Sequence, residues 1–171
     1  IDVVISCLAS RSGEPKDAHK VDFKLNKLIL EKAKAIDCSQ FILLSAICVQ
    51  KPKLAFQFEK LAFEKILINS GLNFSIIRPT AYFKSLSGQI ENIKKGKPYV
   101  YFGDGKLTRC NPISEKDLSH FILSCIRDRN KWKKILPIGG PNQSLTPKNV
   151  GELIFKVFEV TPKYRSFPTK I

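Results

Sequence analysis

The sequence contains no methionine, and its 171 residues start at Ile1, directly inside the apolar run I-D-V-V-I-S-C-L-A-S. No polar leader and no targeting segment precede this run in the sequence given. We therefore expect that the N-terminus is a cut through a larger protein, and that any signal or transit peptide would lie upstream.

Long apolar runs and paired cysteines are also missing. The longest uncharged apolar stretch, from Phe41 to Gln50, is about half of the ~20 residues that a membrane-spanning helix requires. The five cysteines are odd in number and form no C-x-x-C pair. These features favour reduced thiols in a cytosolic, stromal or similar compartment, and we predict neither a transmembrane segment nor a metal site.

Acidic residues are scarce, with 15 Asp and Glu against 29 Lys and Arg, which gives a net charge of +14. Such a field could attract nucleic acid, an anionic membrane surface or a carboxylated ligand. However, the lysines are spread over nearly every predicted helix, and Trp132 is the one aromatic residue inside a basic cluster. Because base-stacking aromatic residues are not interleaved with the cations, we predict no nucleic-acid partner and rank a Rossmann-like RNA-binding protein last.

Short apolar runs rich in Val, Ile and Phe alternate with longer segments of helical period, which indicates βα units around a mainly parallel sheet. The predicted strands are Val3 to Leu8, Phe41 to Ser45, Phe74 to Ile77, Tyr99 to Phe102 and Ile135 to Ile138. The predicted helices are near Asp22 to Ala35, Leu54 to Asn69, Ser85 to Lys95, Glu115 to Arg127 and Lys148 to Phe158. Two helix ends are marked by Gly71 and Gly96, and the last helix start by Thr146 and Pro147.

The stretch from Leu44 to Lys60, L-S-A-I-C-V-Q-K-P-K-L-A-F-Q-F-E-K, contains an unusual combination of residues. A nicotinamide-dependent short-chain dehydrogenase would be expected to place a serine and then Tyr-x-x-x-Lys here, but Phe56 takes the place of the tyrosine. Phe56 and Lys60 share one helix face, which Phe63 continues. A lysine in such a stripe either extends to water along its apolar stem or serves a site, and the spacing leaves both open.

Several longer motifs carry a resemblance to a known family. The segments D-V-V-I-S-C-L-A-S-R-S-G, F-I-L-L-S-A-I-C-V-Q-K-P, S-I-I-R-P-T-A-Y-F-K-S-L-S-G-Q and L-P-I-G-G-P-N-Q-S-L-T-P occur in this order. In this the chain resembles the NADPH-dependent divinyl chlorophyllide a 8-vinyl reductases, which are atypical short-chain dehydrogenases of the NmrA-like group. The resemblance implies a Rossmann-type doubly wound sheet that begins here at about its fourth strand. Residues 1–171 would then be the C-terminal part of one NAD(P)-binding domain with its substrate-binding region, and the glycine-rich loop would lie upstream.

The resemblance also implies a set of site residues. In a doubly wound sheet the ligand lies beyond the carboxyl ends of the strands. The implied cofactor residues are Leu8, Ala9, Ser10, Ser45, Ala46, Lys60, Pro79, Thr80 and Ala81. Phe56, Tyr82, Phe83 and Lys84 are implied for the substrate, and Lys60, Ser45 and Tyr82 for catalysis.

The implied activity is transfer of hydride from NADPH to the 8-vinyl group of divinyl chlorophyllide or protochlorophyllide, a tetrapyrrole. A carbonyl reductase needs a phenol to protonate the alkoxide that it forms, and Phe56 cannot do this. Addition to a conjugated carbon–carbon double bond spreads charge over the macrocycle, so that water or another group, such as Tyr82, can supply the proton. A non-catalytic NADP-binding regulator is an alternative equally compatible with Phe56. The resemblance places the protein in a chloroplast or in the cytoplasm of a photosynthetic bacterium, and leaves peripheral membrane association open.

Overall fold

The computed structural model describes residues 1–141 and 143–169. Asn142, which belongs to the motif L-P-I-G-G-P-N-Q-S-L-T-P, and the last two residues of the predicted 1–171 domain lie outside the described residues. The chain forms two compact units. The first consists of Ile1–Pro79 and Lys116–Ile138, and the second of Thr80–Glu115 and Gly139–Ile171.

Strands and helices alternate along the described residues. The strands are β1 (Val3–Ser6), β2 (Gln40–Leu44), β3 (Asn73–Pro79), β4 (Tyr99–Phe102), β5 (Lys134–Ile138) and β6 (Tyr164–Phe167). The α-helices are α1 (Pro15–Ala18), α2 (Asn26–Ala35), α3 (Ala55–Ile68), α4 (Phe83–Leu86), α5 (Ile90–Lys94), α6 (Glu115–Arg127) and α7 (Pro147–Val157). A π-helical segment, His19–Leu25, joins α1 to α2, and a 3₁₀ turn, Ser87–Gln89, joins α4 to α5.

The first unit is built on a parallel sheet with strand order β1-β2-β3-β5. Phe41 of β2 lies opposite Val4 of β1 and Phe74 of β3, which fixes the register of three neighbouring strands. The strands β2 and β3 are buried along most of their length, as expected for a parallel sheet with helices packed on it. This arrangement confirms the predicted fold class of a mainly parallel Rossmann-type sheet with helical crossovers.

The core of the first unit lies between this sheet and the helices α2 and α3. Phe63 and Leu67 of α3 are fully buried and belong to one cluster with Phe41, Leu43 and Ile76. Each such side chain contributes about 1.5–3 kcal/mol by leaving water. The predicted apolar stripe on α3 is therefore the face that holds this helix on the sheet.

The helix that follows β1 starts earlier than predicted. We expected it to begin near Asp22, but helical structure runs from Pro15 through the π-helical segment. Pro15 is favoured at the first helical position because its missing N–H would have no helical partner there. Asp17 accepts hydrogen bonds from the backbone N–H groups of Arg11 and Ser12, which fixes the entry into the helix.

The second unit has its own small sheet and core. Strand β4 was predicted within its observed bounds, but it pairs in parallel with β6, a strand that was not predicted. Tyr99 packs so closely on α7 that a Cβ at Gly151 would lie 2.8 Å from the tyrosine ring, which explains a glycine inside this helix. Ile93 and Phe155 complete the buried cluster. No helix in the described part of the chain is both long enough and apolar enough to cross a membrane.

Candidate functional site

The carboxyl ends of β1, β2 and β3 form one edge of the first unit. The segment after β2 continues along β3, since the Ser45 N–H donates to the Ile77 carbonyl at 2.8 Å and the Ile47 N–H to the Pro79 carbonyl at 3.0 Å. The loop after β1 starts at the same edge. Ligands of open α/β sheets bind in the crevice outside the carboxyl ends of the strands, so this edge is the place to look for a site.

Lys60 of α3 extends its side chain toward this edge. Its Nζ donates to the carbonyl oxygen of Leu8 at 3.2 Å and lies 2.9 Å from Asp22 Oδ1. The side chain of Lys60 is 7% exposed and that of Asp22 is fully buried. The contact with Asp22 is an ion pair rather than an aligned hydrogen bond, because Oδ1 receives no hydrogen bond of good geometry. Lys60 is therefore a paired, buried cation and does not extend to water.

Asp22 is held by the structure around it. Its Oδ2 accepts from the backbone N–H of Ser10 at 3.2 Å, and it lies in the π-helical segment. Asn26 donates through Nδ2 to the carbonyl oxygen of Asp22 at 3.1 Å and accepts from the hydroxyl of Ser6. All these side chains are buried except Ser10, so strand β1, its following loop and the helix form one hydrogen-bonded network.

Ser45 takes part in a second buried network. Its hydroxyl donates to Glu64 Oε1, and Arg78 binds both oxygens of the same carboxylate through Nε and a terminal nitrogen. Glu64 is 1% exposed and links α3 to the ends of β2 and β3. Because the Ser45 proton is committed to Glu64, this hydroxyl would meet a bound ligand only as a hydrogen-bond acceptor.

The predicted site residues of the first unit are brought to this one edge. Lys60 contacts Leu8 directly, and Asp22 links Lys60 to Ser10. Ala9, Ala46 and Pro79 lie on the loops and strand end at the same edge. Phe56 is half-buried in the first turn of α3, one turn before Lys60.

The remaining predicted residues lie in the second unit. Thr80 donates to the carbonyl oxygen of Asn111, and the carbonyl oxygen of Ala81 accepts from the Ile113 N–H at 3.0 Å. Tyr82 is the residue before α4 and is half-buried. Phe83 and Lys84 are exposed, Phe83 by 51%. The roles assigned to all these residues stay predictions.

The prediction did not include three charged residues: Asp22, Glu64 and Arg78. A signal was present in the spacing. Asp22 is on the same helix face as Leu30, and Glu64 directly follows Phe63 on the buried side of α3. A carboxylate placed on an apolar helix face indicates a buried ionic partner, since such groups are rarely buried unpaired.

Cys7 lies beside Lys60 at the end of β1. Burial raises the pKa of the Cys7 thiol, and the positive charge of Lys60 acts in the opposite direction. All five cysteines carry free thiols, and Cys38 and Cys125 are buried.

Comparisons with known proteins identify the family of this chain. Residues 1–129 match the model of a family described as NAD(P)H-binding. The chain belongs to the NAD(P)H-binding family. Its whole length is 51% identical to a chloroplastic divinyl chlorophyllide a 8-vinyl-reductase of Arabidopsis thaliana and 47% identical to that of Zea mays. The predicted resemblance is confirmed, although this NAD(P)H-binding chain spans only 42% and 44% of the length of those relatives.

Solved structures confirm the fold. A UDP-glucuronic acid 4-epimerase from Bacillus cereus in complex with NAD has a TM-score of 0.86 and 17% identity, with 99% of this chain and 64% of the epimerase covered. An NADPH-dependent quinone oxidoreductase from Escherichia coli, complexed with NADPH, has a TM-score of 0.76 and 16% identity. That alignment covers 97% of this NAD(P)H-binding chain and 54% of the oxidoreductase. At such low identity, these likenesses establish the fold alone.

Proposed function

We propose that the complete polypeptide that carries this chain reduces the 8-vinyl group of divinyl chlorophyllide to an ethyl group with NADPH, in chlorophyll biosynthesis. The observation that carries the proposal is the 51% identity over the whole of this chain with an 8-vinyl-reductase. The same relatives favour a reductase over a non-catalytic regulator. Their chloroplastic names support a chloroplast location rather than the cytoplasm of a photosynthetic bacterium.

Lys60 fits a nicotinamide cofactor at the carboxyl edge of the sheet. A lysine ammonium has three donors. Within residues 1–141 and 143–169, its aligned hydrogen bond goes to the Leu8 carbonyl and Asp22 pairs with it by charge, so N–H donors remain for ligand hydroxyls such as those of the nicotinamide ribose. When bound, NADPH supplies the hydride.

Ser45 and the strand ends complete the cofactor side of the proposal. Because its hydroxyl can only accept, Ser45 suits an amide N–H donor such as the nicotinamide carboxamide. Leu8, Ala9, Ser10, Ala46 and Pro79 provide backbone and small side chains beside it, and Thr80 and Ala81 directly follow Pro79 in the chain. We assign these residues to cofactor binding.

Phe56 fits a reaction that needs no phenolic acid. Its ring is half-buried one turn before Lys60, at the position of the missing tyrosine. A conjugated alkene can be protonated at carbon by water or by another group, so the loss of the hydroxyl does not prevent the reaction. In this proposal Phe56 supplies apolar surface, and Tyr82 stays a candidate proton donor.

The second unit offers an apolar groove of about 180 Å³ that suits part of a tetrapyrrole. Its lining includes Phe83, Leu86, Ile90, Leu145, Leu153 and Ile154. Pockets for drug-sized ligands hold roughly 300–1,000 Å³, so this groove would hold one edge of a macrocycle. Exposed Lys84 follows Phe83 and is assigned to a substrate carboxylate.

The test is conversion of divinyl to monovinyl chlorophyllide by the complete polypeptide with NADPH, followed by chromatography. We expect product with the wild type and a loss of about tenfold or more in kcat/KM for Lys60→Ala, because a charged hydrogen bond to the cofactor disappears. Lys65→Ala is the matched control, since Lys65 is an exposed lysine on the same helix. A wild type that binds NADPH but forms no monovinyl product would reject the proposal in favour of a regulator.

A further inference from the structure

We propose that Asp22 is a positioning residue for the nicotinamide half of the cofactor, acting through Lys60. Through its charge, Asp22 holds the Lys60 ammonium at the end of β1, so that the N–H groups that are not bound to Leu8 can meet the ligand. The inference rests on the proposed function to the extent that it requires a nicotinamide cofactor at this edge.

The first observation is the placement of the ammonium. The Leu8 carbonyl oxygen accepts one of its N–H groups at 3.2 Å, and the Asp22 carboxylate, 2.9 Å from Nζ, attracts it by charge without accepting an aligned hydrogen bond. These two contacts hold Nζ at the carboxyl edge of the sheet. If Asp22 were uncharged, the ammonium would keep only the Leu8 hydrogen bond and would lose the attraction that holds it there.

The rigidity of Asp22 carries the second step. Its second carboxylate oxygen is held by the Ser10 N–H, and its backbone carbonyl by Asn26. The π-helical segment that contains Asp22 is a rare winding that occurs frequently at functional sites. The side chain and the backbone of Asp22 are therefore each held by one hydrogen bond, which gives Lys60 a fixed partner.

The choice of partner carries the third step. Glu64 lies four residues after Lys60, the spacing at which two side chains on one helix can pair. In the structure Glu64 instead binds Arg78 and Ser45. Asp22 is the carboxylate in contact with Lys60 among the residues that the structure describes, so the charge balance of this buried cation depends on it.

The experiment compares two ligands by equilibrium titration of the complete polypeptide. NADPH contains the nicotinamide ribose, whereas 2′,5′-ADP has only the adenine half. We expect Asp22→Asn to weaken NADPH binding about tenfold, the value of one charged hydrogen bond. Binding of 2′,5′-ADP should change by less than about twofold, because the adenine half does not reach Lys60.

Two further variants separate positioning from a general structural role. In the Lys60→Met background, Asp22→Asn should have little additional effect on NADPH affinity, since the group that it positions is gone. Asp17→Asn is the matched control: Asp17 also binds backbone N–H groups of the loop after β1, but it is exposed to solvent and makes its contacts with Arg11 and Ser12. Asp17→Asn should leave the ratio of the NADPH affinity to the 2′,5′-ADP affinity unchanged.

The inference would be overturned if Asp22→Asn weakened the binding of NADPH and 2′,5′-ADP equally, or if it left the NADPH affinity unchanged. It would also be overturned if Asp22→Asn weakened NADPH binding as much in the Lys60→Met background as in the wild type. These outcomes are independent of product formation. A protein that shows the expected ligand ratio but converts no divinyl chlorophyllide would reject the proposed reaction and leave the role of Asp22 intact.

Discussion

Lys60 places a positive charge inside an apolar helix face, and the energetics of that burial explain the polar residues around it. The effective penalty for burying an ion is several kcal/mol, and a charged partner with good contacts offsets it. Asp22 and the Leu8 carbonyl provide these contacts. The same two contacts tie α3 to the loop after β1 and to the π-helical segment, so the residue that we propose for cofactor binding also holds parts of the first unit together.

The pKa of the Cys7 thiol depends on the charge of Lys60. Burial raises the pKa of the Cys7 thiol and Lys60 partly reverses the increase, so Lys60→Met should raise this pKa further. The thiolate is the reactive form. Alkylation of Cys7 by iodoacetamide at about pH 8, half a unit below the ordinary thiol pKa, should therefore be slower, with its pH midpoint moved upward.

The measurement is mass spectrometry of a variant in which the other less buried cysteines, Cys48 and Cys110, are serine. Lys65→Met is the control, because it removes a charge from the exposed side of α3. If the pH profiles of Cys7 were the same with and without Lys60, the described proximity of the two groups would be wrong.

How much of the site could be predicted depends on the range of the interaction. The stripe that contains Lys60 and Phe63 is a local pattern, but its spacing left open whether Lys60 extends to water or serves a site. The pair of Lys60 with Asp22 joins two helices that are distant in sequence, and no local rule selects Asp22 over Glu64. Ser45 was placed correctly at a strand end, but its bond to Glu64 depends on the packing of α3 against β2.

At the scale of elements, the period of the apolar residues does not predict the π-helical segment His19–Leu25. Its apolar and polar residues fit an ordinary helix. Asn26 stabilises it by donating to the carbonyl oxygens of Val21 and Asp22, which provides partners for groups that regular helical hydrogen bonds would otherwise use. The prediction of a helix near Asp22 was therefore correct, but its earlier start and its π-helical winding were not predicted.

The link between α3 and two strands through Glu64 leads to a stability prediction. Glu64→Gln removes the charge that balances Arg78, whose side chain is 12% exposed. Breaking a buried ion pair by removing one partner costs about 3–5 kcal/mol, and partial exposure of Arg78 places our expectation at about 3 kcal/mol. Urea unfolding of the complete polypeptide measures the change in the free energy of unfolding.

The double variant Glu64→Met with Arg78→Met provides the comparison. Replacing both charges by apolar groups leaves no unpaired ion, so it should be less destabilising than Glu64→Gln alone. Ser45→Ala should cost about 1.5–3 kcal/mol, because one buried hydrogen bond to the charged carboxylate is lost. A Glu64→Gln variant as stable as the wild type would mean that the Glu64–Arg78 pair makes no net contribution.

At the scale of the whole molecule, the sequence pattern predicts a mainly parallel sheet. It does not predict which of the strands belong to that sheet. Strand β4 is a short apolar run like the strands of the main sheet, yet it pairs with β6 in the second unit. Strand pairing is decided by which partner surface is available, and β6 lies far along the chain in a short, mostly exposed segment. The assignment of residues 1–171 to one NAD(P)-binding domain with a substrate region stays a prediction.

The two outer strands of the main sheet differ in whether their sequences oppose pairing with other chains. Strand β5 contains Pro137 and starts at Lys134, and both residue types discourage a further strand. Strand β1 reads V-V-I-S, contains neither type, and pairs with β2 alone within the described residues. An apolar edge strand with unpaired N–H and C=O groups is a template for association.

We therefore expect the 171-residue chain, prepared by itself, to self-associate through β1 in a concentration-dependent manner. Ile5, which is 40% exposed, is the position to change: Ile5→Lys should shift the chain toward the monomer, because a charge on an edge strand opposes a second strand. Sedimentation velocity measures the distribution, with circular dichroism as the check on folding. Leu123→Lys is the control, since Leu123 is 54% exposed on helix α6 and not on a sheet edge. A chain that is monomeric at every concentration, or association that both lysine variants reduce equally, would show that the free edge of β1 is not the contact.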